Sequence, residues 1–157
     1  METEGVFAPE SPAAARRRYT DLETAAETTV KAAGREQAAT GPEYNALMTD
    51  AAFAAAHDAL FAALLAVQVG ARTAFERWHA WTAHEVTIVG AEGVDNVVWH
   101  APAFADRAVA LTFQDERAAA VDTLRRQAFG RLYRPLLDAE TEAQTETETE
   151  TETGAGA

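Results

Sequence analysis

The hydrophobic period changes twice along this chain, and that order constrains the fold more than any other feature. Apolar residues recur at helical spacing up to about residue 60. Three short β-branched runs occupy 86–113, and the helical period returns at 115–133. Helices, then strands, then a closing helix imply an α+β domain. The expected sheet is small, mainly antiparallel and three or four strands wide, with helices packed on one face.

The first helix carries clear signals. Ser11 suits its cap and Pro12 its first turn. Tyr19, Leu22, Ala26, Val30 and Ala33 follow at helical spacing, and Gly34 is the expected stop. A polar linker leads to Gly41, Pro42–Met48 reads as a short helix, and Asp50 can cap a helix running toward His57. The run from Leu60 begins helically. Its second half, Leu65-Ala66-Val67-Gln68-Val69, alternates before Gly70 and is read as a strand. Thr73 can cap a helix carrying Phe75, Trp78, His79 and Trp81. Strands are expected at Val86–Val89, Val97–His100 and Ala108–Phe113, the last two as a hairpin. A long helix from Asp115 is expected to stop near Tyr133, ahead of Pro135.

Residues 1–137 form the expected globular domain, and 138–157 an acidic Thr-Glu tail. The tail has no apolar residue larger than alanine and cannot offset its ordering entropy, so disorder is expected. Alanine fills 38 of the 157 positions, which implies a core of small side chains anchored by a few aromatics. Without cysteine there is no disulfide, thiol nucleophile or thiolate metal site.

Lys31 is the sole lysine, and 25 acids face 13 bases, for a net charge of −12. Like charges repel in the compact state, and molar salt screens that repulsion to within about 3 Å. A protein adapted to molar salt is therefore expected. The tail holds seven of the acids, leaving eighteen against thirteen bases and a net of −5. The first residues lack a basic and apolar leader, and the uncharged run Ala59–Ala71 is too short to cross a bilayer. A cytoplasmic protein with no membrane contact is the expectation.

The closing helix holds the best candidate residues. With Val121 at the centre of its apolar face, Leu124, Ala128 and Leu132 lie within about 60° at 100° per residue. Arg125 and Arg117 lie about 40° to either side, inside the apolar stripe, while Arg126 and Arg134 point away. An inward arginine needs a carboxylate or backbone partner. From Glu116 to Arg134 there are five arginines and two acids, interleaved with Phe129 and Tyr133. Arg125, Arg126, Arg131, Tyr133 and Arg134 are thus candidates for contacting a partner or an anion. A second basic cluster, Arg16-Arg17-Arg18, lies early in the first helix. Trp99-His100, beside Pro102 and Asp106, is the weaker candidate site.

Catalytic signatures are missing from the sequence. It has no phosphate-binding glycine loop and no GxSxG elbow, and His79 and His84 are five residues apart, not four. No catalytic residue, cofactor or metal is implied.

The segments Val97-Val98-Trp99-His100-Ala101-Pro102-Ala103-Phe104-Ala105-Asp106 and Thr123–Pro135, with the opening Glu2–Pro9, resemble a family of small acidic proteins from halophilic archaea. The resemblance covers residues 1 to about 137. That family has no assigned function, so the resemblance implies source and compartment and transfers no active site.

Three functions follow as expectations. The first is a non-enzymatic domain that binds another protein or itself through the Arg-aromatic closing helix. The second is a small enzyme or anionic-ligand binder using Arg125 with His100. The third is nucleic-acid binding through the arginine helix, which the net charge of −12 disfavours.

Overall fold

The computed structural model describes residues 1–139. In chain order the elements are β1 (Glu2–Glu4), α1 (Pro12–Asp21), α2 (Glu23–Gln37), α3 (Gly41–Leu47), α4 (Asp50–Leu64) and β2 (Val67–Ala71). They continue with α5 (Arg72–Trp81), β3 (Glu85–Val89), β4 (Asn96–His100), β5 (Arg107–Phe113) and α6 (Arg117–Ala128). A π turn over Phe129–Tyr133 follows α6, and helix resumes over 134–139.

The sheet has five strands in the order β1-β2-β4-β5-β3. It is wider than the expected three or four. The pairs β1–β2, β2–β4 and β4–β5 are antiparallel, and β4–β5 is the expected hairpin. The pair β3–β5 is parallel, so the sheet is mixed. The extra strand is β1, whose Glu-Thr-Glu sequence carries no strand signal and is ordered by pairing with β2.

Helices cover both faces, not one. Val67 and Val69 of β2, Val98 of β4 and Val109 of β5 face a thick layer from α1, α4 and α6. Phe61 of α4 is the hub of that layer. The rings of Phe7, Tyr19, Phe129 and Tyr133 meet it edge-on at 5.7, 5.8, 5.7 and 5.2 Å. These contacts give an alanine-rich core its rigidity. On the other face, Val97, Trp99 and Ala110, with Val86 beside them, meet α5 through Phe75 and Trp78.

Three helix boundaries differ from expectation. The first helix breaks at Leu22, where Tyr19 and Leu22 both turn into the main core. Gly34 does not stop α2. A Cβ there would lie 2.5 Å from Cε of Met48, so this glycine permits close packing. Pro135 does not end the closing helix either. Its ring and missing N–H are accommodated by the wider π turn just before it. Resumed helix takes in Asp138 and Ala139, the first two residues of the expected tail. The rest of that tail, and its expected disorder, lies outside the described residues. Smaller shifts concern the caps: Thr49, not Asp50, caps α4, its Oγ1 accepting from the Ala52 N–H at 3.1 Å. Helix α5 starts at Arg72, ahead of Thr73.

Candidate functional site

The handover from α4 to β2 at Leu65-Ala66 gathers several of the candidate residues. A helix that ends and becomes a central strand within two residues leaves carbonyls without ladder partners. Here side chains take them. Arg125 of α6 donates from Nε to the Leu65 carbonyl at 3.0 Å. The Nδ1 of His100, at the end of β4, is 2.7 Å from the Ala66 carbonyl and donates its proton there. The chain after β1 supplies the rest: Phe7 N–H donates to the Leu64 carbonyl at 2.8 Å, and Ala66 N–H to the Phe7 carbonyl at 2.8 Å. Gly5, at φ +100°, lets this segment approach. A Cβ at Gly5 would sit 2.4 Å from the Leu65 oxygen and 2.9 Å from Nη2 of Arg125.

With Nδ1 protonated, Nε2 of His100 is an acceptor. Tyr133 donates its hydroxyl proton to it at 2.7 Å. Both rings are buried, His100 at 3% exposure and Tyr133 at 0%. Burial pushes the His100 pKa down to about 4, and the Arg125 and His84 charges push the same way, outweighing the bond to Ala66. Burial likewise raises the Tyr133 phenol above its ordinary range. Thus His100 is neutral at neutral pH with both ring nitrogens engaged. It holds a strand in place and is not free to move a proton for a substrate.

The candidates of the closing helix therefore divide. Arg125 is half-buried and Tyr133 fully buried, both serving the handover. Arg126, Arg131 and Arg134 are exposed. Arg126 donates to Thr123 Oγ1 at 3.4 Å and Arg131 to Gln127 Oε1 at 3.1 Å, while Arg134 pairs with Asp58 of α4 and lies 5.2 Å from the Phe129 ring centroid. Because Phe129 and Tyr133 are buried, the helix presents no aromatic platform for stacked bases. Arg117, the other arginine expected to face inward, instead reaches the solvent-exposed edge of the sheet, 42% exposed, and pairs with Glu2 at 2.6 Å and Glu4 at 3.0 Å on β1. The Glu2 carboxyl is held below its usual range by that guanidinium.

Trp99 and His100 both border one groove of about 620 Å³, together with Trp78 and Pro102. As strand neighbours they point to opposite faces, Trp99 toward α5 and His100 toward Tyr133. Trp99 is 1% exposed and its indole N–H has no hydrogen-bond partner among the described residues. The remaining histidines mostly tie down local chain: His57 contacts the Tyr19 carbonyl, and His84 the Thr82 hydroxyl and the Pro102 carbonyl. Among the described residues, no three His, Cys, Asp or Glu side chains gather as metal ligands. No single helix among them is long and apolar enough to cross a membrane.

Sequence reasoning missed the pairing of Tyr133 with His100. On an unbroken α-helix Tyr133 would lie about 120° from Val121, well off the apolar face. The π turn takes up one extra residue and swings it about 100° back toward the core. Only the Pro135 signal, read as a helix stop, hinted at an irregularity there.

A mixed five-stranded sheet, with a neutral His–Tyr pair and an arginine clamping its second strand, defines an α+β protein whose buried polar residues serve the fold. The chain belongs to DUF5809, a family of unknown function, whose profile matches residues 6–134. No curated protein and no solved structure matches it.

Proposed function

We propose that this chain is a non-enzymatic protein-interaction domain that pairs with a second copy of itself through the β3 edge of the sheet. Trp81 carries the reading. It is 87% exposed at the end of α5, four residues before β3 begins. An indole left in water is a large apolar surface, and tryptophan is among the residues favoured at the centre of interfaces. Strand β3 supports the same surface. It has a sheet neighbour only on its β5 side among the described residues. Its run Val86-Thr87-Ile88-Val89 holds no charge to deter a further strand. Ile88 is 48% exposed and borders a groove of about 680 Å³ with Phe75, His79 and Thr112.

Pairing β3 with its own copy about a two-fold axis would continue the sheet and cover Ile88 on both sides. The closing helix can add only its exposed arginines, chiefly Arg126 and Arg131, because its aromatics are buried. The net charge of −12 opposes self-association at low salt, so the contact should tighten as KCl rises. The single lysine supports the accompanying view of a salt-adapted cytoplasmic protein of a halophilic archaeon.

Size-exclusion chromatography with light scattering in molar KCl tests the proposal. The natural chain should run as a dimer and Ile88→Lys as a folded monomer. A natural chain that stays monomeric across micromolar concentrations at every salt overturns it.

A further inference from the structure

The cover that α5 gives its face of the sheet runs out toward β1. Thr3, Gln68, Trp99 and Ala110 stand opposite one another in register, so their side chains form one row across β1, β2, β4 and β5. Ala110 is fully buried and Trp99 is 1% exposed, whereas Gln68 is half-buried and Thr3 exposed. Where the row emerges, the face opens into the groove of about 620 Å³ that Trp78, Pro102 and Glu10 also line. That volume suits a binding cleft.

Two hydrogen-bond donors of the row are unused. Thr3 donates its hydroxyl proton to Gln68 Oε1 at 3.0 Å, which orients the amide and leaves both Nε2 protons without an acceptor among the described residues. The indole N–H of Trp99 lacks an acceptor too and is sealed from water. A buried donor in that state is a standing cost, which an entering carbonyl would remove. Trp78 packs on this indole, with ring centroids 5.7 Å apart, yet is itself only half-buried.

The lining also selects by charge. Its one charged side chain is Glu10, exposed and acidic, and no side-chain cation lines the groove to hold a phosphate or carboxylate. The matching ligand is uncharged, apolar and rich in acceptors. A proline-bearing segment in the polyproline II form has all three properties. Its rings are apolar, its carbonyls are free of internal hydrogen bonds, and its prolines bring no N–H in need of an acceptor.

We propose that this groove binds a proline-rich segment of a partner protein. Trp78 turns from Trp99 to pack on the proline rings, and Gln68 Nε2 and the Trp99 N–H donate to the segment's carbonyls. Apolar packing and neutral hydrogen bonds carry the contact, so molar salt does not screen it away. The site is separate from the β3 edge, since neither Ile88 nor Trp81 lines it.

The three tryptophans make the test internal, because Trp81 is 87% exposed and outside the groove. The isotope-labelled chain in molar KCl is titrated with an acetylated and amidated proline decapeptide, and separately with a capped Gly-Ser decapeptide. The indole N–H signals of Trp78 and Trp99 should shift with the proline peptide, that of Trp99 downfield as its proton gains an acceptor. The Trp81 signal should stay in place, and the Gly-Ser peptide should move none of the three. Gln68→Ala should weaken binding about tenfold through lost hydrogen bonds. If that variant fails to fold, Gln68→Glu keeps the shape, removes both Nε2 protons and should do the same. No shift at millimolar proline peptide, an equal shift at Trp81 or an equal response to the Gly-Ser peptide overturns the proposal. So does binding that survives the Gln68 change or disappears as KCl is raised to molar.

Discussion

At one edge of the sheet, β1 is three residues long and carries Glu2 and Glu4, both held by Arg117. At the other, β3 is five residues long and carries Glu85 followed by the uncharged Val86, Thr87, Ile88 and Val89. The same contrast runs inward. The β1–β2 side is bound by polar contacts at the Leu65-Ala66 handover, from Arg125, His100 and the Phe7 backbone. The β3 side is thinly covered by α5 and shows Ile88 and Trp81 to solvent. A second strand laid against β1 would meet carboxylates already engaged with an arginine. One laid against β3 would meet, beyond Glu85, an uncharged and mostly apolar run. The two edges teach that this sheet is closed by charge on one side and left available on the other.

The sharpest way to break the contrast is to give β3 the character of β1. Ile88→Lys should weaken self-association about 100-fold, or about 2.7 kcal/mol, with the melting temperature barely changed. Sedimentation equilibrium would measure it, and an unchanged dimer would mean the open edge is elsewhere. Acid attacks the clamped side instead. His100 has its pKa lowered to about 4 in the fold, against about 6.5 in an unfolded chain. The folded chain then binds fewer protons through this window. Its stability contribution is complete above about pH 6.5 and drains as pH falls toward 4, with about 2 kcal/mol lost between about pH 7 and pH 5. Urea midpoints across that window read it, and a flat curve would rule out a neutral buried His100.

Tyr133→Phe probes the same clamp by leaving His100 Nε2 without its donor. A buried acceptor left unsatisfied should cost about 1.5 kcal/mol, with amide exchange rising first in β2 and β1. An effect spread equally to β3 would contradict the division between the two sides. The smallest effect is expected from Arg117→Ala, whose ion pairs are solvent-exposed. The urea midpoint should scarcely move while the Thr3 and Glu4 amides exchange faster. Slow exchange there would show that β1 is held by its ladder alone.

Much of the open side was legible in sequence, because its strands announce themselves. Val86–Val89, Val97–His100 and Ala108–Phe113 are β-branched runs between turn residues, and each lies within an observed strand. The clamped side was harder to read. β1 is three polar residues whose order comes from β2 and Arg117, a partner 113 residues away from Glu4. The parallel pairing of β3 with β5 is a tertiary choice that hairpin signals cannot anticipate. Helical projection placed Arg125 and Arg117 inward and showed that each needed a partner. It could not name those partners, because Leu65 is sixty residues distant and offers a carbonyl that any residue type would carry. Trp81 illustrates the converse. It sits among aromatics that read as core, and only the end of α5 leaves it outside.

The π turn at Phe129–Tyr133 also governs how this chain can vary between generations. Most codons on the outer surface of the closing helix can change identity without consequence for packing. Loss of a single codon inside that turn is a different event. It would restore an ordinary α-helix, carry the Tyr133 hydroxyl about 100° away from His100 and turn Leu136 and Leu137 off the core. The turn is thus closed to change in length, and only its exposed positions, Gly130 and Arg131, are open to substitution.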